Sequence, residues 1–344
     1  MTMLSGPFGT RLSRRGLAVM AALAVLSAGI VAVSLATGSY GLSIAQVWET
    51  LNGAPPEPMA ATVVFEFRLP RVIVALLCGG MLALSGAILQ GLTRNGLADP
   101  GLLGVSHGAA LAVVTLIVLY PQAPHGLRTP LAFGGAILST IVVQIAATGP
   151  KGAGPLRLIL SGIGVSAFLG ALISVMLTHG NLNEAQSALG WLSGSINSAS
   201  WAEVVALSIA SLMILPAAIA LARPLSALRF GPEVATGLGL TLRTARGGAV
   251  FLAVFAAAAA TAAVGPLGFV GLIAPHMAAR IARTGTGLHL ANAALMGAAV
   301  VALADLLGRS LFAPVQIPAG LVTALLGVPV FAVLLFKGGR VDAI

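Results

Sequence analysis

The sequence predicts an all-α polytopic membrane protein with about ten transmembrane helices and both termini in the cytoplasm. Composition is the first reason, because 58% of the 344 residues are hydrophobic and 8% are charged. So little polar surface cannot cover a water-soluble globule of this size. The other reasons are a series of apolar stretches of membrane-spanning length and an uneven distribution of Lys and Arg along the chain.

The stretch from Arg68 to Gly108 shows how one crossing is delimited. Arg68 and Arg71 open it, and no charged residue follows until Arg94. A charge at the centre of a bilayer costs at least ~2.5 kcal/mol. About 20 helical residues span the ~30 Å hydrocarbon core. The arginine pair therefore marks one membrane boundary, and Arg94 with Asp99 marks the other.

Ten such crossings are predicted along the chain, which we interpret as a single transmembrane domain of residues 1–344 with residues 1–14 in the cytoplasm. They are residues 17–37, 70–90, 105–120, 131–148, 158–178, 202–222, 246–264, 268–281, 291–308 and 319–336. The first exceeds the 7 to 15 apolar residues of a signal peptide and is read as an uncleaved helix. An outer loop at 38–67 is interrupted by prolines, and the polar stretch 183–200, which carries Trp191, predicts a short interfacial helix.

The orientation follows from the positive-inside rule, which places most Lys and Arg in the cytoplasm. With the N-terminus inside, the inner segments hold Arg11, Arg14, Arg15, Arg94, Lys151, Arg157, Arg223, Arg229, Arg243, Arg246, Arg280, Arg283, Lys337 and Arg340. The outer side holds Arg68, Arg71, Arg128 and Arg309. This inequality also explains the net charge of +9 without a nucleic-acid partner.

The motifs of catalysis are missing from the sequence. It contains neither a GxxxxGK[ST] phosphate loop nor an HExxH metal site, and its five histidines are scattered. We therefore expect no enzyme activity, no metal and no cofactor in this chain. The single cysteine, Cys78, is interpreted as a core residue, and Asp305, the one acid within an apolar span, as an ion-pair partner of Arg309 four residues on. A role for Asp305 in ion coupling is the alternative.

Two further patterns bear on mechanism. The loop 223–246 is the longest cytoplasmic insertion, and its GPEVATGLG run predicts a short helix that begins at Pro232 and Glu233 and suits docking onto a soluble partner. Separately, the run GLADPGLLG after the second crossing has a loose counterpart in GPLGFVGLIAPH (Gly265 to His276) after the seventh. An inverted repeat, as in many transporters, is one interpretation.

At these residues the sequence resembles the FecCD-like permease subunits of ABC importers for iron-siderophore, haem and cobalamin. The resemblance lies in RLPR (Arg68 to Arg71), SGAILQGLTRNGLADPGLLGVSHGA (Ser85 to Ala109), GPEVATGLG, the run from Gly265 to Arg280, ADLLGR (Ala304 to Arg309) and PAGLVTALLGVPVF (Pro318 to Phe331). These runs occur in family order from about residue 65 to the end of the chain.

The resemblance implies a multi-pass protein of the bacterial cytoplasmic (inner) membrane that transports iron bound to a siderophore. It implies two permease subunits, identical or homologous, two cytoplasmic ATPase subunits that bind ATP and Mg²⁺, and a periplasmic or lipid-anchored binding protein. Arg68, Arg71 and Arg309 would meet acidic side chains of that binding protein. The residues that would couple to the ATPase are Gly231, Pro232, Glu233, Ala235, Gly237 and Gly239.

Three departures from the family pattern stand out. Asn95-Gly96 replaces the usual Asn-Pro, Gln316 replaces a common Glu at the outer edge, and no acidic-His-Arg triplet is recognisable at 284–289. The leading hypothesis is a ferric-siderophore permease that works by alternating access. Haem and cobalamin are alternatives within the family, and an ion-coupled secondary transporter is the alternative from another class.

Overall fold

The computed structural model describes residues 4–5, 11–148 and 155–337, and these are organised as a bundle of helices. Near the N-terminus β1 (Leu4–Ser5) pairs antiparallel with β2 (Arg11–Leu12). The α-helices are α1 (Arg14–Ala36), α2 (Ile44–Leu51), α3 (Pro58–Thr62), α4 (Leu69–Thr93), α5 (Val105–Leu119), α6 (Arg128–Ala147), α7 (Pro155–His179), α8 (Leu182–Leu192), α9 (Trp201–Arg229), α10 (Pro232–Gly237), α11 (Leu242–Val264), α12 (Val270–Ile281), α13 (Thr286–Ser310) and α14 (Ala319–Lys337).

Each of the ten predicted crossings coincides with one helix: α1, α4, α5, α6, α7, α9, α11, α12, α13 and α14. Seven helical stretches are long and apolar enough to cross a membrane, α5 and α12 are shorter apolar helices, and α14 is apolar from Ala319 to Val333. The all-α membrane architecture is therefore confirmed. The short helix predicted between residues 183 and 200 is α8, and its N-terminus is closed by a capping box between Asn181 and Glu184.

The outer loop contains more structure than its prolines suggested. Ser43 and Gln46 form a capping box that starts α2. Pro58 occupies the first turn of α3, where a missing N–H is tolerated. A π-helix, Val63–Arg68, then joins α3 to α4, so that one helical stretch runs from Pro58 to Thr93.

The cytoplasmic loop is shorter than the predicted range 223–246, because α9 continues to Arg229 and α11 begins at Leu242. The sequence boundary was placed at the first arginine, where the hydrocarbon must end. A helix need not end there, since the 29 residues of α9 extend ~44 Å at 1.5 Å per residue and exceed the ~30 Å core.

The centre of the bundle is α4, which packs against α13, α11, α9 and α12. In the most apolar part of its helical stretch, 78% of the residues are buried. Its contact with α13 is direct between backbones. A Cβ atom on Gly79 would lie 2.2 Å from the carbonyl oxygen of Gly297, far inside van der Waals distance. Small residues permit this approach, which lets two helices associate closely in lipid. Cys78 is fully buried in the same region, as expected for a core residue.

Two helix interruptions meet next to α4. One follows Arg94 and continues to Gly104, and the other separates α11 from α12. A Cβ on Gly271 would lie 2.8 Å from Pro100 Cδ and 3.1 Å from Asp99 Oδ2. The first interruption is therefore in contact with the first turn of α12, directly after the second interruption. They contain the two runs whose similarity suggested an inverted repeat. The repeat itself stays a prediction, but both runs break a helix inside the bundle.

The side chain of Gln90 connects these two segments. Its Nε2 lies 3.4 Å from the carbonyl oxygen of Ala98, 3.3 Å from that of Gly271 and 3.2 Å from that of Leu272. Within α12, Pro275 lacks the N–H that would bond the Gly271 carbonyl, and Gln90 supplies a donor to that carbonyl. Gln90 therefore stabilises irregular backbone that lies within the protein.

Candidate functional site: an outer arginine cluster and an inner coupling segment

The three outer arginines with predicted docking roles belong to one cluster, centred on Arg71. Arg71 Nε lies 2.9 Å from Asp305 Oδ2, and its Nη2 lies 2.8 Å from Asp305 Oδ1. Nη1 donates to Asn197 Oδ1 at 2.7 Å and to Gln316 Oε1 at 2.9 Å. A bidentate guanidinium–carboxylate pair is among the strongest side-chain contacts. Arg71 therefore ties α4 to α13 and to two outer loops.

Arg68 is turned away from solvent, with 6% of its surface exposed. Its Nη1 donates to the carbonyl oxygens of Leu35 at 2.6 Å and Ala36 at 3.0 Å, and its Nη2 donates to that of Tyr40. Leu35 and Ala36 are the last residues of α1, whose final carbonyls have no partner within the helix. Arg68 thus supplies hydrogen bonds and positive charge at this helix terminus.

Arg309 has the same function from a different helix. Its Nη1 donates to the carbonyl oxygen of Thr37 at 2.9 Å, and its Nη2 donates to that of Ser34. Its Nε lies 3.9 Å from Asp305 Oδ2, so the predicted ion pair between these residues is present. Asp305 nevertheless contacts Arg71 more closely than Arg309, and the sequence spacing did not indicate that partner.

The segment after α1 is fixed by a further contact. The Tyr40 hydroxyl donates to Glu57 Oε2 at 2.8 Å, which links the residues after α1 to the start of α3. The pKa of Tyr40 is raised, mainly because its hydroxyl donates to the Glu57 carboxylate. Desolvation and the negative charge of Glu57 contribute smaller increases. The phenol therefore stays protonated as a donor at neutral pH.

The cluster carries an excess of positive charge. Among the described residues, the guanidinium groups of Arg71 and Arg309 share one carboxylate within ion-pair distance, that of Asp305, while Arg68 donates to backbone carbonyls beside them. The side chains of Arg71 and Arg309 are 12% and 9% exposed, so Arg71 is the most accessible of the three. Arg68, Arg71 and Arg309 lie close to one another, and most of their hydrogen bonds are to other parts of this chain. Their docking role stays a prediction.

The predicted coupling residues form the short helix α10 and its two ends. Gly231 precedes Pro232 with φ of 110°, and Gly239 follows with φ of 82°, both in the region that favours glycine. Ala235 is fully buried against Leu228 and Ala245. The helix is therefore held between the inner ends of α9 and α11.

The opposite face of this segment is exposed and apolar. Phe230, at the C-terminal end of α9, and Val234 and Leu238, in and directly after α10, are exposed by 74%, 47% and 67%, and the four-residue spacing of Val234 and Leu238 places these two on one side of α10. Glu233 is exposed beside them. The sequence prediction concentrated on the glycines and Glu233 and overlooked this apolar face. The spacing of Val234 and Leu238 was the available signal.

Comparison with known proteins identifies the family of this chain. The FecCD transport family model matches residues 23–337. The Achromobactin transport system permease protein CbrC of Dickeya dadantii is 40% identical over 330 residues, which cover 95% of this chain and 92% of that protein. The Ferric enterobactin transport system permease protein FepG of Escherichia coli is 38% identical over 320 residues, which cover 92% and 96%.

A solved structure agrees over the whole fold. It is a metal-chelate type ABC transporter in an inward-facing conformation, 28% identical, with a TM-score of 0.83 over 93% of this chain and 99% of the other. A family match across most of the sequence, relatives of similar length and a shared fold lead to one conclusion. The chain belongs to the FecCD transport family and is a membrane permease component of the ABC importer type.

Proposed function

We propose that this chain transports a ferric siderophore across the bacterial cytoplasmic membrane as one of two permease subunits, powered by two separate cytoplasmic ATPase subunits. The names of the two relatives, which include achromobactin and ferric enterobactin, support an iron chelate as the cargo. Haem and cobalamin remain the alternatives within the family.

The ion-coupled alternative is weakened by the position of Asp305. This acid lies within a crossing, but its carboxylate is held by Arg71 at 2.8 Å and is 4% exposed. A coupling carboxylate must bind and release an ion or a proton during transport. Vanadate-sensitive uptake that survives an ionophore supports the ABC mechanism, whereas uptake that collapses with the ionophore while ATP persists contradicts it.

We propose that the outer cluster receives acidic side chains of a substrate-binding protein. The observation that carries this proposal is the excess of guanidinium groups over carboxylates at one outer position. Arg71 is the residue best placed to exchange partners, because its contacts with Asn197 and Gln316 are to neutral amides at exposed positions. A carboxylate from a partner would add the attraction of opposite charges, which a neutral amide does not provide, to a hydrogen bond with the same nitrogen.

Arg71→Gln is the sharpest test of this docking site, since it removes charge without placing a second acid beside Asp305. We expect weaker association with the binding protein and slower delivery, with a reduced dependence of association on salt. Arg128→Gln is the matched control, because Arg128 lies at the outer end of α6 and makes none of the cluster contacts. Association measured in nanodiscs that is unchanged by Arg71→Gln contradicts the docking role.

At the inner side, we propose that α10 docks into a groove of the ATPase through Phe230, Val234 and Leu238. These exposed apolar side chains lie on a cytoplasmic loop rather than along a crossing helix, so lipid does not account for them. ATP binding and hydrolysis would then move the two permease subunits between outward- and inward-facing states.

Leu238→Asp should reduce the amount of substrate taken up per ATP hydrolysed in proteoliposomes. Leu212→Asn, on the apolar surface of α9, should leave this ratio unchanged.

A further inference from the structure

Helix α2, in the outer loop, has an apolar side that the described residues leave uncovered. Ile44, Trp48 and Leu51 lie on it and are exposed by 62%, 68% and 39%. Successive residues of a helix are about 100° apart, so these three fall within an arc of about 60°. Large apolar side chains gathered on one side of a short helix indicate contact with something other than water.

The remaining residues of α2 divide into two further sides. Val47 and Thr50 are buried, and they follow the apolar arc in one direction around the helix. Glu49, which is exposed, and Gln46 follow it in the other direction. The helix therefore meets protein, an apolar medium and water in turn, which is the arrangement of a helix that lies in a membrane interface.

The contacts of α2 place it beside the outer membrane boundary. It packs against α1 and against the π-helix that ends at Arg68 and leads into α4. Val47 shares a cluster of buried apolar residues with Leu35 at the end of α1 and Val64 of the π-helix. In the most apolar part of α1, 17% of the residues are buried, so this neighbouring crossing exposes most of its apolar surface. The uncovered side of α2 continues that surface at the level where the hydrocarbon ends.

The indole of Trp48 is available to a group outside the chain. The indole N–H of Trp201 donates to the Phe65 carbonyl oxygen at 3.0 Å, whereas that of Trp48 has no partner among the described residues. Tryptophan is enriched at membrane interfaces because its ring is apolar and its N–H is polar. A lipid at this position would cover the ring and accept the hydrogen bond.

The charge of the outer loop disfavours an acidic protein as the occupant of this side. Residues 38–67 contain Glu49, Glu57 and Glu66 and neither Lys nor Arg. Like charges brought together oppose association, so acidic side chains of the binding protein proposed above suit the arginine cluster and not α2. A zwitterionic phospholipid has no net charge and is not repelled.

We propose that α2 lies in the outer interface of the membrane, with Ile44, Trp48 and Leu51 in contact with zwitterionic phospholipid and Glu49 in water. The inference concerns a lipid contact and goes beyond the proposed function, because it does not depend on the transported substrate. A helix seated in lipid also supports the cluster of Leu35, Val47 and Val64, next to which Arg68 binds the end of α1.

Spin labelling in liposomes of phosphatidylcholine and phosphatidylethanolamine tests this position. The native cysteine, Cys78, is buried, so a nitroxide reagent labels the introduced thiol of Trp48→Cys or Ile44→Cys. Collisions with oxygen, which concentrates in hydrocarbon, and with a water-soluble nickel chelate measure the depth of the label. Both labels should lie ~5–10 Å below the headgroup boundary. Glu49→Cys is the matched control, since it is the next residue after Trp48 and faces away from the apolar arc. Its label should collide mainly with the nickel chelate.

Two outcomes would overturn the inference. Labels at Trp48→Cys and Ile44→Cys that meet the nickel chelate as often as the label at Glu49→Cys would show that this side of α2 lies in water. Labels shielded from both oxygen and nickel would show that protein covers it, whether a second copy of the chain or another subunit. Thermal unfolding identifies any variant that does not fold, and the other apolar position then provides the measurement.

Discussion

Arg71 of α4 and Asp305 of α13 form a two-point ion pair between residues that are 234 positions apart in the chain. The pair lies at the outer end of a helix contact whose middle is the backbone approach of Gly79 and Gly297. Charge therefore fixes this contact at the membrane surface, where water is near, and close packing fixes it within the hydrocarbon. The same ion pair presents Arg71 at the outer face.

Replacing Asp305 with Asn should lower stability markedly, because it leaves the guanidinium of Arg71 without its charged partner. Breaking a buried ion pair from one side typically costs about 3–5 kcal/mol. Arg71 is 12% exposed, so we expect the lower end of this range, about 3 kcal/mol. Thermal unfolding in detergent measures the effect.

The double variant Arg71→Leu with Asp305→Leu provides the control for that prediction. Removing both charges leaves no unpaired ion in this pair, so the double variant should be more stable than Asp305→Asn alone. A loss in the double variant equal to the sum of the losses in the two single variants would show that the two residues do not act on stability through each other.

The crossings were predictable because the cost of charge in hydrocarbon acts on each segment by itself. Arg68 and Arg94 mark the ends of α4 in the sequence as they do in the fold. The helix ends were less predictable. In α9, the first arginine marks where the hydrocarbon ends, but a helix can continue into water beyond it.

The contacts of the arginines were beyond the reach of sequence patterns. Arg68 donates to carbonyls 28 to 33 residues away, and Arg309 donates to carbonyls 272 and 275 residues away. Spacing shows only partners on the same helix, and it therefore indicated the weaker contact of Asp305 with Arg309. The hydrogen bonds from two arginines to the last carbonyls of α1 can be recognised only once three helices are assembled.

Arg68→Lys should destabilise the junction of α1 and α4 although it retains the charge. Arg68 donates to three carbonyl oxygens from two nitrogens of a planar group, and a lysine ammonium cannot reproduce that geometry. We expect a loss of about 1–3 kcal/mol, since carbonyls of α1 lose their partners. The unfolding temperature should fall, and hydrogen exchange of the residues that follow α1 should accelerate. Unchanged exchange at residues 37–42 would contradict this interpretation.

Gly79→Ala should separate α4 from α13, even though alanine is a good helix former. The new Cβ would lie 2.2 Å from the carbonyl oxygen of Gly297, which is backbone and cannot rotate away. Overpacking of this kind typically costs about 1–3 kcal/mol. Gly91→Ala on the same helix is the control, because open space surrounds its Cβ position. It should be neutral or slightly stabilising by thermal unfolding, in contrast to Gly79→Ala.

Gln316→Glu tests whether stronger pairing of Arg71 within this chain weakens its attraction to an acidic side chain of the binding protein. Gln316 Oε1 accepts from Arg71 Nη1 at 2.9 Å, so a glutamate at this position would place a second carboxylate next to the guanidinium. The glutamate would add attraction between opposite charges to the hydrogen bond that Arg71 already makes there, and the variant should therefore unfold at a higher temperature. The same carboxylate would compete with an acidic side chain of the binding protein and reduce the net positive charge that attracts it. We expect tighter internal pairing together with slower association of the binding protein, measured by surface-immobilised nanodiscs at low and high salt. Faster association of the binding protein with Gln316→Glu would instead mean that Arg71 is not the group that the partner contacts.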